Sequence, residues 1–192
     1  MKTLVLRGGP SREHDVSLKT GQSFLMNMPP HCEAVDVIIG KDGLWRIDGK
    51  EITSGDLYSL TDLVINALHG DYGEDGTIQR ELENAGIPYT GSGSVESRIA
   101  MNKRQTKEIL TRCGIQTPAH IVISPDEHFG LAAARVYQTL SVPCVIKPLA
   151  SGSSLGVSIV DRKLLIEAAI EEARRYGPYV LAEEYIEGRE AT

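Results

Sequence analysis

The apolar residues of this chain fall into short runs broken by glycine and proline, and the runs switch between strand-like and helix-like spacing. Lys2 to Leu6 predicts a short buried strand, and Arg7-Gly8-Gly9-Pro10-Ser11 is the turn that ends it. From Asp15 to Met28, apolar residues at Val16, Leu18, Phe24, Leu25 and Met28 predict a helix stopped by Pro29-Pro30. A second strand is expected at Ala34 to Ile39, then a small hairpin across Lys41 to Lys50, then a third, parallel strand at Leu63 to Leu68. That strand opens into the polar, glycine-rich loop His69 to Gly76, followed by a helix from Thr77 to Ala85 and a short strand at Gly86 to Thr90. The break at Gly91-Ser92-Gly93-Ser94 sets the expected domain boundary, giving residues 1–93 and 94–192.

The second half changes rhythm. Helices are expected at Val95 to Met101 and Lys103 to Cys113, with a strand at Ala119 to Ile123. Ser124-Pro125-Asp126-Glu127 carries a capping serine, proline in the first turn and glutamate three residues after the cap, which predicts a helix start there and an end near Leu140. A strand to Lys147, a strand at Val157 to Val160, an Asp161-capped helix to Tyr176 and a last strand at Tyr179 to Glu184 complete the pattern. The architecture implied is α/β, with strand–loop–helix units first and a mixed α+β part second.

The stretch Val145 to Val157, VIKPLASGSSLGV, stands out because a lysine, Lys147, sits inside an apolar strand. Burying an ammonium is costly without an anionic partner. The loop that follows, Ser151 to Gly156, is built of residues that turn backbone N–H groups and hydroxyls toward one anion, so a polyphosphate suits both features. A plain hairpin with its lysine head reaching solvent is the competing explanation. The loop is not a Walker A site, since Val157 and a strand follow Gly156. Gly91 to Gly93 lacks the third glycine of a dinucleotide fingerprint. His69 and Glu74 lie at the carboxyl end of a parallel strand, where open α/β sheets bind ligands, although a histidine there also serves simply to cap backbone.

Composition narrows the partners. With 41% apolar and 24% charged residues the chain is ordinary for a globular protein, and its net charge of −6 without any basic block argues against nucleic acid. The N-terminal apolar run is too short for a signal peptide and no later stretch would span a membrane, so a cytoplasmic location is expected. Cys32, Cys113 and Cys144 are far apart and show no metal-ligand spacing, which points to reduced thiols and no metal site.

Five stretches then carry a resemblance. Gly8-Gly9-Pro10-Ser11-Arg12-Glu13-His14-Asp15-Val16-Ser17, Ala67-Leu68-His69-Gly70 with Gly73-Glu74-Asp75-Gly76, Pro88 to Gly93, Met101-Asn102-Lys103, and Ile146-Lys147-Pro148 with Gly152 to Val157 resemble, in order, the D-alanine–D-alanine ligases of the ATP-grasp superfamily. The resemblance implies a largely parallel, Rossmann-like pre-ATP-grasp domain followed by the small α+β ATP-grasp subdomain. It implies ATP-dependent joining of two D-alanines through an acyl phosphate, in peptidoglycan precursor synthesis. Glu13 would bind the ammonium of the first D-alanine, with His69 nearby and Glu74 supporting the loop. Lys103 and Lys147 would bind phosphate oxygens, with Ser153 and the backbone at Ser154 closing over them and Ser153 coupling to Glu13. Glu183 would take the adenine amino group, the backbone of Glu184 and Ile186 the rest of the base, and Glu190 the ribose hydroxyls. Read without those upstream stretches, the acidic tail is a solvated edge strand.

Two departures stand out: Glu184 where many relatives have lysine, and Ser151 where some have an acidic residue. The family's Mg²⁺ ligands, a phosphate-stabilising arginine and the second D-alanine site belong to a further lobe, expected to begin where this sequence stops. That implies a truncated or split ligase, inactive alone, whose partner is a C-terminal lobe chain or a second copy. A non-catalytic D-alanine- or nucleotide-binding module that docks on a ligase, and another ATP-grasp carboxylate–amine ligase, are the alternatives.

Overall fold

A computed structural model describes residues 1–59 and 61–189. The chain divides into two compact units, Met1–Ala100 and Met101–Thr192.

In the first unit β1 (Lys2–Gly8) leads into α1 (His14–Met26) and β2 (Glu33–Ile39). The hairpin β3 (Trp45–Ile47) and β4 (Lys50–Ile52), the short helix α2 (Ser54–Tyr58), β5 (Leu63–Asn66), α3 (Thr77–Ala85) and α4 (Ser94–Met101) follow. The sheet order is β4-β3-β2-β1-β5. β2, β1 and β5 run parallel, and β3 and β4 are added antiparallel at one edge. β1 is the central parallel strand, and Thr3, Leu4, Val5 and Leu6 are all buried because both of its faces are covered. Leu4 and Leu6 join Val37, Ile39, Trp45, Val64 and Leu82 on one face, while Val5 packs with Ile65, Ala67 and Leu25 on the other.

Helix α1 is seated by a serine and a glycine. The Ser17 hydroxyl donates to Ala67 O and accepts from Gly8 N, both at 2.8 Å, which ties the helix to the ends of β1 and β5. At Gly21 the helix passes so close to β1 that an added Cβ would lie 2.5 Å from Arg7 Cβ.

The second unit contains α5 (Lys103–Arg112), β6 (His120–Ile123), α6 (Phe129–Leu140), β7 (Cys144–Pro148), β8 (Ser158–Val160), a 3₁₀ turn at Lys163–Leu165, α7 (Ile166–Arg174) and β9 (Val180–Glu184). Its sheet, β6-β9-β7-β8, is antiparallel throughout. Cys144, Ile146, Val180 and Ala182 face a core completed by Ala132 and Val136 of α6 and Ile166, Ile170 and Ala173 of α7. Strand alternation therefore sends Val145, Lys147, Leu181 and Glu183 to the opposite face. β9 is an interior strand and Glu183 is buried, so the acidic tail is not a solvated edge.

Three local expectations are corrected, and one short helix is added. Gly86 to Thr90 forms only a single parallel bridge, Tyr89 to Val64, because Gly86 closes α3 in a left-handed conformation and Pro88 has no N–H to give. The helix at 54–58 was not foreseen; Thr53 caps it by accepting from Asp56 N. Ser124 does not cap α6, which begins only at Phe129, and Glu127 is held by Arg135 at 2.6 Å. His128 caps instead, its Nδ1 accepting from Gly130 N at 3.2 Å. Asp161 caps nothing either: α7 begins only at Ile166, where the buried row Ile166, Ala169, Ile170 and Ala173 starts.

Candidate functional site

In the first unit the loops that leave β1 and β5 lie side by side at the carboxyl end of the parallel sheet. This is the point where the chain turns from building one side of β1 to building the other. Ser11 links the two loops: its hydroxyl donates to His69 O at 2.6 Å and accepts from Glu13 N at 3.2 Å. Glu13 stands at the start of α1, and its carboxylate lies against Gly70, where an added Cβ would come within 2.6 Å of Glu13 Oε2. Gly70 also has φ +70°, so both backbone and space require glycine. The His69 ring is held from both sides, Nε2 being 2.9 Å from Thr20 Oγ1 and Nδ1 3.5 Å from Glu74 Oε1. The other Glu74 oxygen accepts from Gly70 N at 2.8 Å.

The structure thus brings Glu13, His69 and Glu74 together around one loop. Asp71 belongs to the same group: burial first, then the nearby charges of Asp75 and Glu13, push its carboxyl above the ordinary aspartate range. Carboxylates that crowd one another in this way create a site that favours a cation. Neither Asp71 nor Thr20 stands out in the sequence, where one is a loop acid and the other a helix residue.

In the second unit the sheet face opposite α6 and α7 carries a cluster of three lysines and one carboxylate. Lys147 on β7 and Glu183 on β9 are diagonal neighbours, since Lys147 pairs with Leu181 and Val145 with Glu183. Lys147 Nζ donates to Glu183 Oε1. Lys107, from α5, places Nζ 2.9 Å from Glu183 Oε2 and donates to Pro118 O at 3.1 Å. Lys107 and Glu183 side chains are each 9% exposed, and Lys147 is 20% exposed. Burial alone would push the Glu183 carboxyl up, but the hydrogen bonds and charges of Lys147 and Lys107 outweigh it and hold the group below the ordinary glutamate range. The anionic partner that a buried Lys147 demands is therefore supplied within the chain.

Lys103, at the first turn of α5, donates to Ser151 O at 2.8 Å, and its backbone N–H bonds Leu149 O at 3.2 Å. Burial, then the neighbouring Lys147, lower its pKa from the ordinary lysine value, with Glu183 opposing. Lys107 and Lys147 thus share the Glu183 carboxylate, and Lys103 stands close enough to feel the charges of Lys147 and Glu183 while holding the Gly-Ser loop at Ser151. In that loop Ser153, Ser154 and Gly156 have φ of 48°, 55° and 68°. Two consecutive non-glycine residues in the left-handed region are strained, and such runs turn successive N–H groups toward one side.

Glu184 and Ile186 are exposed and help line a cavity of about 790 Å³ with Thr111, Ile115, Thr117 and Pro118. Glu190 lies outside the described residues. Lys107 is the residue that sequence reasoning missed; its signal was the four-residue spacing from Lys103, which puts both on one helical face. Among the described residues no group of three or more His, Cys, Asp or Glu is placed to hold a metal ion. No helix among them is long and apolar enough to cross a membrane.

The model of the D-ala D-ala ligase N-terminus matches residues 48–92, and that of the D-ala D-ala ligase C-terminus matches residues 109–192. The D-alanine–D-alanine ligase of Desulforamulus reducens is 39% identical over 98% of this chain and 59% of its own length. That of Azoarcus sp. is 40% identical over 100% of this chain and 59% of its own. Among solved structures, the Bacillus anthracis D-alanine–D-alanine ligase has TM-score 0.79 at 34% identity, covering 98% of this chain and 58% of that one. The VanG D-Ala:D-Ser ligase of Enterococcus faecalis has TM-score 0.84 at 29% identity, covering 97% and 63%. The chain spans about 59% of the length of the curated relatives it matches. A parallel α/β unit followed by a small antiparallel α+β unit, each in register with its own family model or its solved counterpart, leaves one assignment: the chain belongs to the D-alanine–D-alanine ligase family.

Proposed function

We propose that this chain forms the first-substrate and nucleotide side of an ATP-dependent D-alanine–D-alanine ligase. In that reaction the γ-phosphoryl group of ATP passes to the carboxylate of one D-alanine, releasing ADP. The amine of a second D-alanine then attacks the acyl carbon, an amide bond forms, and phosphate and a proton leave. The observation that carries this reading is the meeting of Lys107 and Lys147 on the Glu183 carboxylate with Lys103 beside them, bonded to the Gly-Ser loop at Ser151. An excess of cations, one buried and two partly so, is unfavourable in a resting fold and is relieved by a polyanion.

Each group then has a task. Glu13 accepts from the ammonium of the first D-alanine, in a loop cluster whose carboxylates favour a cation. His69 packs beside it, oriented by Thr20 and Glu74. Lys103 and Lys147 take phosphate oxygens, and the turn at Ser153 and Ser154 folds over them, excluding water from a reactive acyl phosphate. Glu183 accepts from the adenine amino group, the backbone of Glu184 and Ile186 holds the rest of the base, and Glu190 holds the ribose.

Mg²⁺ would neutralise phosphate charge when bound. Among the described residues no group of three or more His, Cys, Asp or Glu is placed to hold it, and a further lobe, in another chain or a longer form of this one, would supply its ligands. Calorimetry with ATP and with D-alanine, beside a ligase assay with Mg²⁺, tests the reading. Measurable binding of both with little turnover is expected; absence of binding to either removes the proposal, and full turnover by the chain alone refutes the need for a further lobe. Micromolar binding of both with no turnover, even when the remainder of a ligase is supplied, would favour a non-catalytic binding module.

A further inference from the structure

We propose that Lys107 is a positioning residue, whose buried ammonium fixes the Glu183 carboxylate so that it presents one acceptor oxygen to the exocyclic amino group of adenine. The inference rests on the nucleotide-site reading above. The two oxygens of Glu183 are held by different lysines, Oε1 by Lys147 and Oε2 by Lys107. Those lysines are not equivalent. Lys147 is partly exposed on the sheet face below the Gly-Ser loop and is the one with a phosphate to bind. Lys107 is buried and is tethered a second time through Pro118 O, so it stays where it is when a nucleotide arrives.

When Lys147 turns to a phosphate, Oε1 loses its donor. A buried carboxylate left with neither cation would be strongly disfavoured, and the group would neutralise. Lys107 prevents that, keeping Glu183 ionised and aimed while Oε1 becomes free to accept. An ionised carboxylate only accepts hydrogen bonds. It therefore rewards the amino group of adenine and opposes the carbonyl that hypoxanthine carries at the same position.

The consequence is a role in base selectivity, which a purely structural lysine would not have. Calorimetry would compare ATP with inosine triphosphate in wild type, Lys107→Met, Lys107→Arg, Glu183→Gln and the Lys107→Met/Glu183→Gln double variant. Lys107→Met is expected to lower ATP affinity about tenfold while changing inosine triphosphate affinity less than about twofold. Lys107→Arg should restore most of the selectivity, and Lys107→Met in the Glu183→Gln background should change it no further. Equal losses for both nucleotides, or a further loss in the double variant, overturn the proposal.

Carbon-13 NMR titration of the Glu183 carboxyl provides a readout independent of nucleotide. Its midpoint should rise in Lys107→Met, or in Lys107→Gln if the methionine variant does not fold, and stay near wild type in Lys107→Arg. An unmoved midpoint overturns the placement of Glu183 by Lys107. A wild-type protein that binds neither nucleotide while the midpoint moves as expected overturns the nucleotide reading instead.

Discussion

The Lys103 ammonium donates to the carbonyl of Ser151 at 2.8 Å, joining the first turn of α5 to the start of the Gly-Ser loop 48 positions later. The same ammonium is held below its ordinary pKa by burial and by Lys147. One contact thus positions the loop, while the surroundings disfavour the charge that makes it. A lysine of depressed pKa binds fewer protons folded than unfolded, so its contribution to stability rises with pH between its folded and unfolded pKa values and is unfavourable below both.

Lys103→Met should therefore separate stability from binding. At pH 7 the variant loses a hydrogen bond and also a charge repulsion, and its melting temperature is expected to fall by no more than about 2 °C. ATP affinity should drop about tenfold or more, and amide exchange at Ser151 to Gly156 should accelerate. A fall of many degrees with unchanged nucleotide affinity would contradict this assignment of Lys103.

Glu183→Gln removes the counter-ion of Lys107 and Lys147 and should cost about 3 kcal/mol at pH 7 in urea unfolding. The sign of its pH dependence follows from a carboxyl whose folded pKa is depressed. Its stabilisation is complete above the ordinary glutamate range and is lost as pH falls through the lower, folded value. The stability gap between wild type and variant should accordingly narrow as pH falls below about 4. A gap that stays constant down to pH 2 would mean that the ion pairs do not carry it.

Gly70→Ala tests the first unit. The substitution meets a φ of +70° and an approach of 2.6 Å to Glu13 Oε2, so it should destabilise by about 1–2 kcal/mol and push Glu13 aside. NMR-detected D-alanine binding is expected to disappear while ATP binding persists. Retention of D-alanine affinity would show that Glu13 does not hold the ammonium.

Gly21→Ala tests the seating of α1. An added Cβ would lie 2.5 Å from Arg7 Cβ and 2.6 Å from Arg7 Cδ, on a side chain whose Nε donates to Asp36 at 2.6 Å. Helix propensity favours alanine, yet the overlap should dominate and lower stability by about 1–3 kcal/mol in denaturant unfolding. A stabilised variant would show that α1 slides freely on β1.

The strand–loop–helix opening, the lysine inside β7 and the Gly-Ser loop after it were legible in the residues themselves. Period, glycine and proline are local properties that the chain carries before it folds, and the order of the five stretches pointed to the family. The helix starts expected at Ser124 and Asp161 do not form, because capping is a competition. His128 takes the capping place at Gly130 N, and Arg135 takes Glu127 from eight positions away. The partnership of Glu183 with Lys107 and Lys147, like the meeting of Glu13 with Gly70, was decided only by tertiary structure. Those pairs are 76, 36 and 57 positions apart in the sequence, and what joins them is strand order and register. Placing β9 between β6 and β7 turns an acidic tail into a buried counter-ion, because alternation along an interior strand sends Glu183 to the face that α5 covers with lysine.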